Sequence, residues 1–358
     1  MLSNKSLKIS RNFKYIIIFF ELLLSLEYFI VNKSSFISII PKNNINNQSI
    51  FNFTKQNLIN EIYKKLQNNL NNIRSLYLIG RARFGNFIIS INNAILVCEV
   101  LGCKKIIIQR YDKLFINHTI FYPKYNISIE PNHLIIDKNS IILHIEFFYY
   151  LNIKSIGDIN RFNIFKKEIL NNLPRLEIKS DSLSIYIRSG NIFPRILNKF
   201  IGNYPQPPLC FYENILNKFK FRTAQIISEN YLNPVIHMLL KKYTFIKFKI
   251  HDIKYDISYL ANSYNIVSAK SSFLFSIIKL NDKLKFLWEY DFYKLSEKYL
   301  HLHPSVYTFP YNYTIYKMEP SLEYKQFMYP WKNSKEQKQM MIKEKCKNQF
   351  TIIRPRIS

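Results

Sequence analysis

Between residues 183 and 278 short apolar runs alternate with stretches of helical period, and that alternation restricts the chain to a small set of folds. Leu183–Ile187 has strand length, and Arg188 opens a loop. Pro207 and Pro208 start a predicted helix through Phe219, and Thr223–Ile227 is the next strand. Asn233-Pro234 reads as an N-cap followed by proline at the first helical position, starting a helix to Lys242. Phe245–Ile250 is predicted as strand, Asp256–Tyr264 as a short helix and Asn265–Ala269 as strand, after which Ser271 or Ser272 caps a helix through Ile278. Such alternation packs as a parallel sheet, because parallel neighbours need a crossover that a helix supplies. The signature also occurs earlier: strand Leu76–Ile79, a helix over Asn86–Leu101 with Phe87, Ile91, Ala94, Ile95, Cys98 and Leu101 on one face, and strand Lys105–Ile108. We expect an α/β protein with two Rossmann-like parallel-sheet domains and a cleft between them, ligands gathering outside the carboxyl ends of the strands. Residues 110–175 hold further strand-like runs, such as Ser140–Phe147, but no motif.

Glycine narrows the search for chemistry. There are only 6 in 358 residues, so each is expected where backbone approach or a positive φ demands it. Gly80, Gly85 and Gly102 fall in one short segment, and Gly190 and Gly202 in another. Gly102 sits where the residue ending the first long helix belongs.

Positive charge precedes an apolar stretch at the N-terminus. Lys5, Lys8, Arg11 and Lys14 are followed by Tyr15–Val31, a run interrupted by Glu21 and Glu27. With no small-residue cleavage site after it, this reads as an uncleaved signal-anchor; the other reading is an amphipathic or buried helix. The expected layout is a cytoplasmic tail (1–14), a transmembrane helix (15–31), a stem (32–70), an N-terminal α/β domain (71–175) and a C-terminal α/β domain (176–295). The stretch 296–358 suggests no fold. That topology is single-pass type II, with the globular part in the lumen of the Golgi or another secretory-pathway membrane. Sequons at Asn32, Asn47, Asn52, Asn117, Asn126 and Asn312 agree with it. Cys98, Cys103, Cys210 and Cys346 contain no CxxC pair, which argues against a zinc or redox motif; Cys98 and Cys103 read as buried free thiols.

Arg188-Ser-Gly-Asn191 directly follows a strand. The planar fork of an arginine there suits two diphosphate oxygens, or it pairs with a carboxylate. Ser271-Ser272 at a helix start offers hydroxyls and N–H groups to a phosphate, or merely a cap. Asp256 accepts from a base or a ribose, or caps its own helix. No Asp-x-Asp occurs to hold a metal; the nearest relative, Glu289-Tyr-Asp291, is expected on a helix surface.

These segments together resemble a family. Arg83-Phe-Gly-Asn86 is similar to the first motif of the α1,2, α1,6 and protein O-fucosyltransferase group, and Ile185-Tyr-Ile-Arg-Ser-Gly-Asn-Ile-Phe193 to its His-x-Arg-x-Gly-Asp signature. Asn203–Tyr212, Ser228–Val235 and Asp256–Phe273 resemble the blocks that follow, in the family's order across 76–290. The resemblance implies the two-domain class B glycosyltransferase fold and transfer of fucose from GDP-fucose to a glycan or glycoprotein hydroxyl, with no metal and no cofactor beyond the donor. It implies that Arg188 holds the β-phosphate, helped by Gly190 and Asn191, and that Asn86 lies where donor meets acceptor. Asp256, Ser271 and Ser272 would line the guanosine and phosphate pocket.

Two positions depart from the pattern: Tyr186 stands where the family has histidine, and Asn191 where it has aspartate. Transfer would also want a carboxylate or histidine base for the acceptor hydroxyl. Glu229 and His251 are available but read first as structural residues. Without a base, Arg188 would carry most of the rate by stabilising the leaving diphosphate. The departures motivate a second reading, a catalytically inactive nucleotide- or glycan-binding relative. A third, a basic structural or nucleic-acid-binding protein, starts from the net charge of +27. Its basic residues are dispersed rather than striped, so no nucleic-acid partner is expected. A hydrophobic share of 48% with 21% charged residues excludes a disordered polymer.

Overall fold

The computed structural model describes residues 75–79, 83–108, 119–122, 126–131, 140–144, 166–194, 204–291, 312–347 and 349–353. They fall into two compact units, within Met1–Ile169 and Leu170–Ser358. The expected signal-anchor at 15–31 and stem at 32–70 lie outside the described residues, as do Gly80, Gly157 and Gly202. Among the described residues no helix is long and apolar enough to cross a membrane.

The first unit contains β1 (Ser75–Ile79), α1 (Phe84–Leu101), β2 (Lys105–Ile108), β3 (Ile120–Tyr122), β4 (Ile127–Pro131) and β5 (Ser140–His144). The sheet runs β3-β4-β2-β1-β5, with β1 parallel to both β2 and β5, β4 parallel to β2, and only β3 antiparallel. Phe84, Phe87, Ile91, Ile95 and Cys98 of α1 are buried, as are Leu76, Leu78, Ile106 and Ile108 of the strands. Gly102 ends α1 in the left-handed conformation (φ 71°), and the Cys103 N–H donates to the Cys98 carbonyl at 2.9 Å. That reversal turns Cys103 back onto Cys98, and the two form a disulfide with their Cα atoms 4.9 Å apart. The free-thiol expectation is therefore corrected.

The second unit contains β6 (Ser182–Tyr186), α2 (Leu209–Lys218), β7 (Thr223–Ile227), α3 (Pro234–Lys242), β8 (Ile246–Phe248), α4 (Ile253–Ala261), β9 (Asn265–Val267) and α5 (Ser272–Leu280). It continues with β10 (Phe286–Tyr290), β11 (Thr314–Met318), α6 (Leu322–Met328), α7 (Lys335–Lys343) and β12 (Thr351–Ile353). Its sheet order is β12-β11-β10-β9-β6-β7-β8. Every pair is parallel except β11 with the edge strand β12. The chain thus steps outward from β6 through β7 to β8, crosses back to β9 on the other side, and steps outward again. This is a doubly wound, Rossmann-like order, with its reversal between β6 and β9.

Leu183, Ile185, Ile226 and Val267 of the sheet pack with Phe211, Tyr212, Val235, Ile236, Trp288, Tyr324 and Trp331 in one core. Burying a side chain of the Leu or Phe class contributes roughly 1.5–3 kcal/mol. The Asn265 amide donates to the Ser180 and Ser182 carbonyls at 2.7 and 2.9 Å, which ties the start of β9 to the start of β6. Cys210, in α2, is bonded to Cys346 beyond α7, 136 residues along the chain.

Two expectations shift in this unit. Glu289-Tyr-Asp291 is not on a helix surface. Glu289 lies in β10 and both carboxylates are buried, because aromatic and β-favouring neighbours in Phe286-Leu-Trp commit the segment to the sheet. The helix expected from Asp256 starts at Ile253, because the Asp252 carboxylate accepts from the Tyr255 N–H at 2.9 Å and caps it. Asp256 is consequently a first-turn residue and not the cap.

Candidate functional site

The strand order reverses between β6 and β9, and in open parallel sheets ligands bind at such a point, outside the carboxyl ends of the strands. Arg188 follows β6 and Ser271 follows β9. Both belong to the second unit, as do Gly190, Asn191, Asp256 and Ser272, whereas Asn86 lies in the first turn of α1 in the first unit.

The loop after β6 is fastened to the loop after β7. The Asn233 side chain caps α3 by accepting from the Val235 N–H at 3.0 Å, and its amide donates to the Arg188 carbonyl at 3.0 Å. Ser189 Oγ accepts from the Asn233 N–H at 3.1 Å and donates to Asn230 Oδ1 at 2.5 Å. These bonds hold the Arg188 carbonyl and the Ser189 side chain against the loop after β7.

The Arg188 guanidinium is gripped by two partners. Nη1 donates to Glu229 Oε1 at 2.5 Å and Nη2 to Asn191 Oδ1 at 2.8 Å. Only 11% of the arginine side chain is exposed, against 43% for Glu229. Burial disfavours the arginine's charge, but the Tyr186 oxygen and the Glu229 carboxylate beside it outweigh that and raise its pKa. The carboxylate beside the guanidinium thus comes from position 229, and the Asn191 amide oxygen takes the other end of the fork. Glu229 lies 41 residues along the chain from Arg188, and only the pairing of β6 with β7 reveals it in this role.

Gly190 opens one turn of 3-10 helix and has φ 60°. A Cβ at this position would also overlap the Glu229 carboxylate. The backbone conformation thus favours glycine, and a larger residue would in addition push the Glu229 carboxylate away from its place beside Arg188.

Tyr186 is buried at the end of β6 and stacks on Phe273, with ring centroids 5.6 Å apart. Its hydroxyl lies 3.1 Å from Ser271 Oγ, which also accepts from the Phe273 N–H and so caps α5. Burial pushes the Tyr186 pKa up, with Arg188 opposing and Glu229 reinforcing, so the group stays a neutral hydroxyl near pH 7 and is no base. Ser272 is the first residue of α5, partly buried beside its cap. Lys270, partly buried immediately before that cap, has its pKa lowered to about 8 by burial; sequence reasoning passed it over.

Asp256 lies within the field of the same cluster. Its pKa is raised to about 7, first by burial and then by the charges of Asp252 and Glu229. The folded state therefore holds this proton where the unfolded chain, with an ordinary value of 3.8, has released it. Between about pH 4 and pH 7 the native state binds more protons, so stability falls as pH rises through that window. Asp256→Asn removes the titration. Denaturant midpoints measured from pH 4 to pH 8 are expected to decline in the native chain and to flatten in the variant. An equal decline in both would contradict the assignment. His251, the other base considered, stacks on Tyr255 at 3.9 Å and has its pKa lowered by burial and by Lys249.

Among the described residues no group of three or more His, Cys, Asp and Glu side chains is arranged to hold a metal ion. What the second unit does assemble is a buried, oriented guanidinium, a glycine turn and a serine-capped helix start, all at one switch point. Such an arrangement can take up an anion. Comparison of the chain with protein-family models, with curated proteins and with solved structures finds no match.

Proposed function

We propose that the chain is a class B-like glycosyltransferase that moves fucose from GDP-fucose to a glycan hydroxyl. The observation that carries the proposal is Arg188, oriented by Glu229 and Asn191 beside the capped start of α5. An arginine has five N–H donors, more than these partners occupy, and the remainder suit diphosphate oxygens. The N–H groups of the first turn of α5 and the partial charge of its helix dipole favour the same anion. Asp256 on α4 is suited to accept from donors on the nucleoside, while Asn86 is assigned to the junction of donor and acceptor by the family resemblance alone.

In the reaction the acceptor oxygen bonds to the anomeric carbon and the bond from that carbon to the phosphate oxygen breaks. The electron pair leaves on GDP, and the acceptor proton passes to a base. Arg188 and the α5 start stabilise the charge that develops on the leaving diphosphate, a kind of electrostatic assistance that often supplies the largest share of catalysis. Glu229 is tied up by Arg188 and Tyr186 stays neutral, so neither is the base as the cluster stands.

A lumenal location is supported by the two disulfides, which persist in oxidising compartments. The sequon residues Asn126 and Asn312 are both exposed. The membrane anchor rests on the sequence of 15–31.

Tyr186 and Asn191 favour a second reading, an inactive relative that binds the nucleotide sugar without transfer. Incubation of the detergent-solubilised chain with GDP-fucose, followed by mass spectrometry of free fucose and of candidate acceptor glycans, separates the two. Turnover lost in Arg188→Ala is the expected result. Binding without turnover, with transfer created by Tyr186→His plus Asn191→Asp, would identify the inactive relative.

A further inference from the structure

The C-terminal segment grips the loop on which the Arg188 cluster is built. Trp331 Nε1 donates to the Ile192 carbonyl at 2.7 Å, and the indole packs edge-on against Phe193 at 5.2 Å. The Asn333 amide donates to the Pro194 carbonyl at 2.8 Å. Further along, the Tyr324 hydroxyl donates to the Gln206 carbonyl at 2.7 Å, and the Cys210–Cys346 disulfide closes the same contact covalently. The turn carrying Trp331 and Asn333 is itself fixed by Gln337, whose Oε1 accepts from the Lys332 N–H and whose amide donates to the Pro330 carbonyl.

Asn333 adopts a left-handed backbone (φ 55°), and its Oδ1 is buried without a partner among the described residues. Asparagine is one of the few non-glycine residues that tolerate this backbone, but the orphaned Oδ1 disfavours it on stability grounds. What the position retains is the amide donated to Pro194, three residues past Asn191.

We propose that Trp331 and Asn333 are positioning residues for the anion site. By holding the Ile192 and Pro194 carbonyls they keep Gly190-Asn191 in the turn from which Asn191 grips Arg188. The inference rests on the reading of Arg188 as the diphosphate-binding group.

The test uses the full chain in detergent, with Trp331→Phe, which keeps an aromatic ring but removes the donor, and Asn333→Gly, which accepts the positive φ. Hydrogen–deuterium exchange is followed peptide by peptide, and GDP affinity is measured by calorimetry. In each variant exchange over 188–194 is expected to rise about tenfold while the β6 and β9 peptides stay native, as for a local opening. GDP affinity is expected to fall about tenfold, with the thermal midpoint of Asn333→Gly unmoved. Native exchange at 188–194 in both variants would overturn the proposal, and so would a rise spread over the whole unit, which marks a merely structural role. If exchange responds locally but even the native chain binds no GDP, the positioning of the loop stands and the diphosphate reading falls.

Discussion

Arg188→Ala is expected to weaken binding of GDP-fucose, and of GDP, by a factor on the order of 100 or more. A hydrogen bond to a charged group contributes roughly 1.5–3 kcal/mol, and the fork can make two to a diphosphate. Arg188→Lys keeps the charge but loses the planar geometry, and is expected to fall between native and alanine. Unfolding should change far less than binding. Glu229, left behind, is 43% exposed and keeps its water, and ion pairs with one hydrated partner contribute little to stability. Calorimetric titration beside a thermal melt separates the effects. Equal binding by native chain and alanine variant would remove Arg188 from the site.

The second large effect concerns the Cys210–Cys346 bond. It closes a loop spanning 136 residues that includes most of the second sheet. Loop-closure entropy for that length gives about 5 kcal/mol at 25 °C. The double variant Cys210→Ser with Cys346→Ser is expected to melt on the order of 10–20 °C lower, taking a few degrees per kcal/mol for a unit of this size. The Cys98–Cys103 bond spans only 5 residues and its removal should cost much less. Differential scanning calorimetry of the two double variants, side by side, checks the contrast. Similar melting temperatures would show that α7 is held by its hydrogen bonds and packing alone.

Most of the parallel framework was legible because the signals were local. Asn233-Pro234, Gly102 and the capping serine at 271 mark helix ends by chemistry that acts within a few residues, and all three stand where expected. Asp256 was misjudged as a possible cap for the same local reason, since Asp252 offers a better-spaced carboxylate. Glu289-Tyr-Asp291 passed for helix surface because its acidic residues masked the alternation that precedes it: Phe286, Trp288 and Tyr290 are spaced by two and share one face of β10.

The candidate site divides in the same way. Arg188 and Gly190 could be found from a strand followed by a glycine turn. Glu229 as the partner of Arg188 could not, because 41 residues separate them and only adjacent parallel strands bring them together. The contacts of Trp331 and Asn333 span 139 residues each and are equally silent in the sequence. Charge patterning gave no help, since basic residues are dispersed and the buried cation is one among 51 Lys and Arg.

The most direct measurement is a calorimetric titration of the purified full chain with GDP-fucose, without added metal, alongside UDP- and CMP-sugars. One saturable site for GDP-fucose, abolished by Arg188→Ala, is the expected result. Absence of binding to any nucleotide sugar, in a chain whose melt confirms that it is folded, would contradict it and leave the switch-point cluster as an internal ion pair.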